Sequence, residues 1–276
     1  MSLIKKKQIF YINSDNRIIG THSNFTFKLD NIDRNANFNQ VVVLQAIIPK
    51  SYYLINNNNN TFILQEGEDL INISIPIGNY NKMSFKNIIQ VLLNENSPNE
   101  FIYRILDDNL AFGPDIGKFT FSVTNNGDIQ PSLNMNSDVC NQFGFNKDTV
   151  NVFNNNLLVS VKFINFSLEN TLFIHSNICQ NTTSDNVLQE IFTTGVPTAS
   201  YIKYDCYQLE AYSKPFNNKS DSYVFYLTDE NNKLIETNGV NLEITIMIYE
   251  RNDIDNEIQD YIEMNKLKNQ LKLIQK

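Results

Sequence analysis

Short apolar segments that stop at asparagine set the tightest limit on how this chain can fold. "SYYLINNNNNTFIL", Ser51 to Leu64, places five asparagines between two β-prone stretches. Asparagine tolerates the left-handed backbone region, and its side chain hydrogen-bonds the nearby main chain. The segment therefore reads as a hairpin turn between strands. The same punctuation recurs at Asn125-Asn126-Gly127, at Asn154-Asn155-Asn156 and at Asn231-Asn232. A chain cut this often into short alternating segments is built mainly of β-strands.

Up to residue 51 the strand candidates are "QIFYINS", "NFTFKLD" and "FNQVVVLQAIIP", with Gly20 suited to the turn between the first two. Residues 52–155 differ in character. There "LINISIPIGNY", "FIYRILDD" and "GKFTFSVTNNGD" read as strands. In "KMSFKNIIQVLLNEN", Phe85, Ile88, Ile89, Leu92 and Leu93 fall at helical spacing, with Ser84 as N-cap. "NSDVCNQFGF" reads as a short helix ending near Gly144. This block is expected to be an α+β insertion. Residues 156–250 return to strands: "LLVSVKFINF", "NTLFIHSNI", "YIKYDCYQLEAY", "DSYVFYLTD" and "VNLEITIMIYE", with a helical turn at "SDNVLQEIF". With the three early strands this makes eight, the number in an all-β jelly roll of two facing sheets; a β-barrel is the structural rival. From 251 to 276, Ile254, Ile258, Tyr261, Met264, Leu267, Leu271 and Ile274 step by three or four. Acidic residues come early in that tail (Asp253, Asp255, Glu257, Asp260) and lysines late (Lys266, Lys268, Lys272, Lys276), as a helix dipole favours. The expectation is an amphipathic helical tail.

Composition narrows function mainly by exclusion. A net charge of −8 argues against a broad nucleic-acid surface, leaving Lys5-Lys6-Lys7 as a local basic run. Cys140, Cys179 and Cys206 are far apart and odd in number, so they read as buried free thiols in a reducing compartment. No apolar run nears the ~20 residues of a membrane span, and "MSLIKKKQIF" lacks the apolar stretch of a secretory signal. Glycosylation sequons such as those at Asn24, Asn72, Asn165, Asn181 and Asn218 are expected by chance in so asparagine-rich a chain. The chain has two histidines: His22 reads as a solvated loop residue and His175 as a structural mid-strand one. Asp107-Asp108 and the loop "TDENNK" read as turns; the loop lacks the glycine and terminal glutamate of an EF-hand. No phosphate loop, dinucleotide fingerprint or HExxH is present. No catalytic, cofactor-binding or metal-ligating residue is assigned, and the chain does not read as an enzyme.

"INSDNRIIGTHSNFTFKL" followed by "VVLQAIIPKSYYLI" resembles the N-terminal part of penton (minor capsid) proteins of mavirus-type virophages and Polinton-like viruses. The resemblance continues in order through "IPIGNYNKMSFKNIIQVLLN", "GKFTFSV", "NQFGFN", "LFIHSNI", "NVLQEI", "KPF" and "SYVFYLTDENNKLIETNG", covering roughly residues 8–250. It implies a single jelly roll, strands B–D in residues 1–51 and E–I in 156–250, with the 52–155 insertion between D and E. It also implies a structural role in the virion as a homopentamer at the fivefold vertices, beside a double-jelly-roll major capsid protein. Lys5, Lys6 and Lys7 could then meet packaged DNA; the ordinary alternative is a solvated charge run. A glycan-binding or host-attachment jelly-roll module is the competing function, since jelly rolls serve lectins as well as capsids.

Overall fold

The computed structural model describes residues 4–106, 117–125, 129–167, 170–180, 186–251 and 264. The chain divides into two compact units, one of Met1–Tyr52 with Glu169–Lys276, the other of Tyr53–Leu168. The first stretch carries β1 (Ile4–Asn13), β2 (Ile19–Gly20), β3 (Asn24–Lys28) and β4 (Gln40–Pro49). The second unit carries β5 (Thr61–Glu66), β6 (Asp69–Ser74), α1 (Lys82–Glu95), β7 (Ile102–Leu106), β8 (Thr120–Thr124), β9 (Ser132–Met135), α2 (Cys140–Phe143), β10 (Thr149–Val152) and β11 (Leu157–Val159). The chain then adds β12 (Thr171–Ser176), β13 (Val187–Phe192), β14 (Tyr201–Asp205), α3 (Leu209–Tyr212), β15 (Lys214–Pro215), β16 (Ser222–Thr228) and β17 (Glu243–Arg251) to the first unit.

Two antiparallel sheets make the first unit. One runs β1-β17-β4-β14 with β15 also on β4; the other runs β13-β12-β16-β3-β2. Alternate residues of β17, Ile244, Ile246 and Ile248, are buried, as are Val41, Val43 and Ile48 of β4 and Ile12 of β1. The second sheet buries Phe25, Leu172, Ile174, Phe225 and Leu227 on the same period-two logic. Phe25 and Phe225 are register partners whose rings stack at 5.8 Å. The architecture is β-sandwich-like, and in the first of these sheets the core residues are mostly β-branched, which suits a pleated surface. Gly20 joins β2 to β3 at φ 107°, and a Cβ there would collide with the carbonyl oxygen of Asn24.

The second unit has two smaller antiparallel sheets, β10-β9-β5-β6 and β11-β8-β7. Its core is aromatic. Phe143 of α2 lies 5.0 Å from Phe62, 5.2 Å from Phe85 and 6.0 Å from Phe121 by ring centroids. Phe85, Ile89 and Leu93 bury one face of α1 into this cluster. Gly144 ends α2 in the left-handed region at φ 73°, and a Cβ there would stand 2.5 Å from the carbonyl oxygen of Lys162. Asn155 and Asn156, at φ 49° and 64°, form the two-residue turn from β10 to β11, closed by Asn154 and Leu157.

Several sequence expectations change. Asn56–Asn60 does not close a hairpin between its flanks. Ile55 bridges Gly78, and Ile75 N–H donates to Asn60 O, so the asparagines are an excursion within one arm of a longer ladder. Asn59 holds the excursion, accepting from Asn56 N–H and donating to the Leu54 carbonyl. In α1 the N-cap is Asn81, and Ser84 reciprocates as the third helical residue of a capping box. "VLQEIF" is a strand, not a helical turn. A bulge opposite Ile174/His175 makes Leu188 an extra buried residue, so Leu188 and Ile191 fall three apart and imitate helical spacing. Leu157–Val159 pairs with β8 and belongs to the second unit, where the sequence reading grouped it with the C-terminal strands. The exchange of those two segments leaves eight longer strands in the sandwich, but a different eight. The helical tail and Asp107-Asp108 lie outside the described residues, apart from Met264.

Candidate functional site

Residues with chemical potential are used up by the fold. His175 is buried, with Nε2 2.8 Å from Thr228 Oγ1 and its ring stacked at 4.6 Å on Tyr226, its register partner. His22 is not the solvated residue expected: its side chain is 20% exposed, and Nδ1 lies 3.2 Å from Ser14 Oγ and 3.8 Å from Asp15 Oδ1. A relay needs the hydroxyl and the carboxylate on opposite ring nitrogens. Here both face Nδ1, and the buried Ser14 Oγ also accepts from Leu242 N–H. The arrangement fixes the turn after β1.

Cys140 and Cys179 are buried free thiols and Cys206 is half-buried. Burial pushes the Cys179 thiol up to about 11, so it stays protonated near neutrality. Burial, then Asp138, raises Cys140 as well. Asp229 of "TDENNK" spends its Oδ1 on the backbone N–H groups of Asn231 and Lys233, at 2.8 Å each, which is turn chemistry. Among the described residues no cluster of three or more His, Cys, Asp or Glu side chains converges as a metal site would. Tyr52 is buried and Tyr53 partly exposed, so the pair does not offer a flat stacking platform.

The least conventional polar group is Glu66, 1% exposed at the end of β5. Its Oε1 accepts from Ser97 Oγ at 2.7 Å and Tyr103 O–H at 2.8 Å; its Oε2 accepts from the backbone and side-chain nitrogens of Asn99 at 3.1 Å each. These donors pin the loop between α1 and β7. Burial first, and the neighbouring carboxylate second, push the Tyr103 hydroxyl far above its ordinary value. Sequence reading missed this hub because its members are scattered over Glu66 to Tyr103 with no motif.

No protein-family profile matches the sequence, and no curated protein sequence does. Among solved structures, a selenomethionine-labelled mavirus penton protein superposes with a TM-score of 0.44 at 11% identity. That match covers 89% of this chain and 99% of the other.

What remains unexplained by folding is a surface. On the sheet β1-β17-β4-β14, residues opposite in parity to the core point outward. Ile9 and Tyr11 of β1 are 40% and 78% exposed, and Tyr201 of β14 is 56% exposed. Their register partners across the sheet are Met247, Thr245 and Pro49. At the Arg251 end of this face, α3 covers Val42, Met247 and Tyr249 through Leu209, and Ser213 Oγ meets Tyr249 Oη at 2.5 Å. At the other end a groove of about 540 Å³ is lined by Ile47, Tyr201, Lys203, Val240, Asn241 and Glu243, with Gly239. Tyr207, just before α3, is 90% exposed. Aromatic residues set among aliphatic neighbours at a sheet surface are the composition of a protein interface. One signal was readable: "QIFYIN" carries apolar residues at both parities, so that strand has two faces to cover. Lys5, Lys6 and Lys7 are not a loose run before the fold. Lys6 and Lys7 pair with Glu250 and Tyr249 in β1, and Lys6 Nζ stands 4.0 Å from Asp33.

Proposed function

We propose that this chain is a structural capsid protein, a penton subunit that forms pentamers at fivefold vertices beside a major capsid protein. The observation that carries the reading is strand order. With β1, β3, β4, β12, β13, β14, β16 and β17 lettered B to I, the sheets of the first unit read B-I-D-G and F-E-H-C, the winding of a jelly roll. The second unit occupies the D-to-E connection. That is the placement which the sequence resemblance to virophage and Polinton-like penton proteins implies. Jelly rolls also serve lectins, so the fold alone does not choose. The outward face of the B-I-D-G sheet supports assembly. A ring of identical subunits needs two different complementary surfaces on each copy, and this sheet presents different residues at its β1 and β14 margins. In this reading the protein belongs to the virion and has no catalytic step.

The test is native mass spectrometry with electron microscopy of the purified full chain. Five-copy particles with fivefold symmetry are expected. A chain that remains a monomer over the micromolar range, and binds a glycan array, would replace the capsid reading with an attachment module.

A further inference from the structure

The inserted unit carries an exposed apolar surface of its own, made differently from the tyrosine-bearing face of the sandwich. On the sheet β11-β8-β7, Tyr103, Ile105, Phe121, Val123 and Leu158 are buried in the core. The opposite parity points outward. Register sets Leu157, Ser122 and Arg104 in one row across the three strands, with Ile102 opposite Thr124 in the next. Past Val159 the chain carries Val161 and Phe163 along the same margin, where Ser160 N–H donates to Phe119 O and Ile164 N–H to Gly117 O. Ile102, Leu157, Val159, Val161 and Phe163 are 42% to 73% exposed. The Phe163 ring is seated on bare Gly117, where a Cβ would come within 2.5 Å of it. Together these side chains expose on the order of 400 Å², the size at which an apolar patch marks a contact site.

We infer that this face is a lipid-surface contact, lying flat on a bilayer that carries anionic headgroups. Its apolar side chains enter the interface and its cations meet the phosphates and carboxylates of the headgroups. The contact goes beyond the capsid role and does not depend on it. Charge selects the partner. Among the described residues no outward position of this sheet is a carboxylate, while Arg104 and Lys162 are exposed, and the Lys118 ammonium donates to the Val161 carbonyl at 3.1 Å. From Thr149 to Leu168 the one charged residue is Lys162, in a chain whose net charge is −8. Residue type separates lipid from protein. Protein hot spots favour tyrosine, tryptophan and arginine, whereas Leu, Val, Ser and Thr are under-represented there. The sandwich exposes Tyr11, Tyr201 and Tyr207; this face sets Ile102, Leu157, Val159, Ser122 and Thr124 around one arginine. A bilayer interface asks only for apolar area with cations beside it. A second copy docked face to face would bury roughly 800 Å² in all, short of the ~1,200 Å² of a stable pair.

The test is co-sedimentation of the purified full chain with vesicles of phosphatidylcholine alone, or with about 30 mol % phosphatidylserine added. Binding to the anionic vesicles is expected, and about thirtyfold weaker binding to phosphatidylcholine alone, the loss for two cations at ~1 kcal/mol each. Val161→Ser should weaken binding to the anionic vesicles about fivefold, and Val161→Ser with Phe163→Ser more than tenfold. Unfolding temperature is followed throughout; because Phe163 packs on Gly117, Val161→Ser alone decides if the pair destabilises the unit. Arg104→Gln with Lys162→Gln should bring the two vesicle types level, and Tyr11→Ser on the sandwich should change nothing. A full chain that binds neither vesicle overturns the contact, as does binding that Val161→Ser leaves unchanged. Equal binding of the parent to both vesicle types overturns the part given to the cations. Binding lost with Tyr11→Ser instead moves the lipid to the sandwich and overturns the assignment. A change in oligomeric state of the lipid-free chain on Val161→Ser makes the face a protein contact, and the lipid reading falls.

Discussion

The two units solve the problem of filling a core in opposite ways. The sandwich packs Val41, Val43, Ile174, Ile244, Ile246 and Ile248 in long regular strands, and its apolar surface spills over onto an outward sheet face. The inserted unit has shorter strands and a helix, and fills the irregular space between them with Phe62, Phe85, Phe119, Phe121, Phe143 and Phe145. A β-branched residue repeats well on a flat pleat; a phenylalanine fills a gap whose shape no repeat dictates. The lesson is that one core is written locally, two residues at a time, and the other only by the completed fold.

The sharpest way to break this contrast is Phe143→Ala. Phe143 is fully buried at the centre of the ring cluster, and truncation there should cost about 4 kcal/mol, transfer and cavity costs together. Ile246→Val in the sandwich should cost only about 1 kcal/mol, because one methylene leaves a regular layer. Urea unfolding followed by tyrosine fluorescence and circular dichroism should show Phe143→Ala lowering one transition and leaving another in place. A single transition shifted equally by both substitutions would mean that the two cores do not melt as separate units.

Next in size is Glu66→Ala, which removes the acceptor of four hydrogen bonds and strands Tyr103 O–H and the donors of Ser97 and Asn99. Hydrogen bonds to a charged group contribute about 1.5–3 kcal/mol each before compensation, and stranded donors can recover water, so a loss of roughly 3 kcal/mol is expected. Glu66→Gln keeps acceptors but turns one of them into a donor facing donors, and should recover less than half of that. Hydrogen exchange should show protection lost first at the backbone N–H groups of Asn99 and Phe101. If exchange instead rises uniformly through β5, α1 and β7, the carboxylate supports the whole unit rather than one loop.

How far the sequence could be read follows the same divide. Strand β3 was legible from local alternation, and β1, β4, β16 and β17 from short β-prone apolar runs bounded by turn residues. So were α1, from its helical spacing, and the Asn155-Asn156 turn, from residues that favour the left-handed region. The misreadings occurred where a long-range partner altered a local period. The bulge opposite His175 made β13 look helical, and β11 alternates correctly but pairs with β8, a choice that no residue within Leu157–Val159 records. The five asparagines were legible as a turn, but not as a detour in one arm, because Gly78 and Ile75 decide that. Of the candidate surface, the two-faced β1 strand was visible in sequence. Tyr201 and the groove beside Glu243 were not, since they meet only through the sheet register.

The smallest expected effect has the opposite sign and tests the sandwich where its alternation fails. Gln189 pairs with Ile174 beside the bulge, is 3% exposed, and leaves its Oε1 without a hydrogen-bond partner. Its Nε2 donates to the Glu190 carbonyl at 2.7 Å, so one polar atom of the side chain is satisfied and the other is not. A buried acceptor stripped of water without a replacement costs about 1–3 kcal/mol, more than the single neutral bond returns. Gln189→Met keeps the length and volume of the side chain while removing both polar ends. It should therefore stabilise the sandwich by roughly 1 kcal/mol, a rise of about 2–4 °C in unfolding temperature for a unit of this size. The second unit's transition should not move. A fall of similar size instead would show that the Nε2 bond to Glu190 holds the bulge in register.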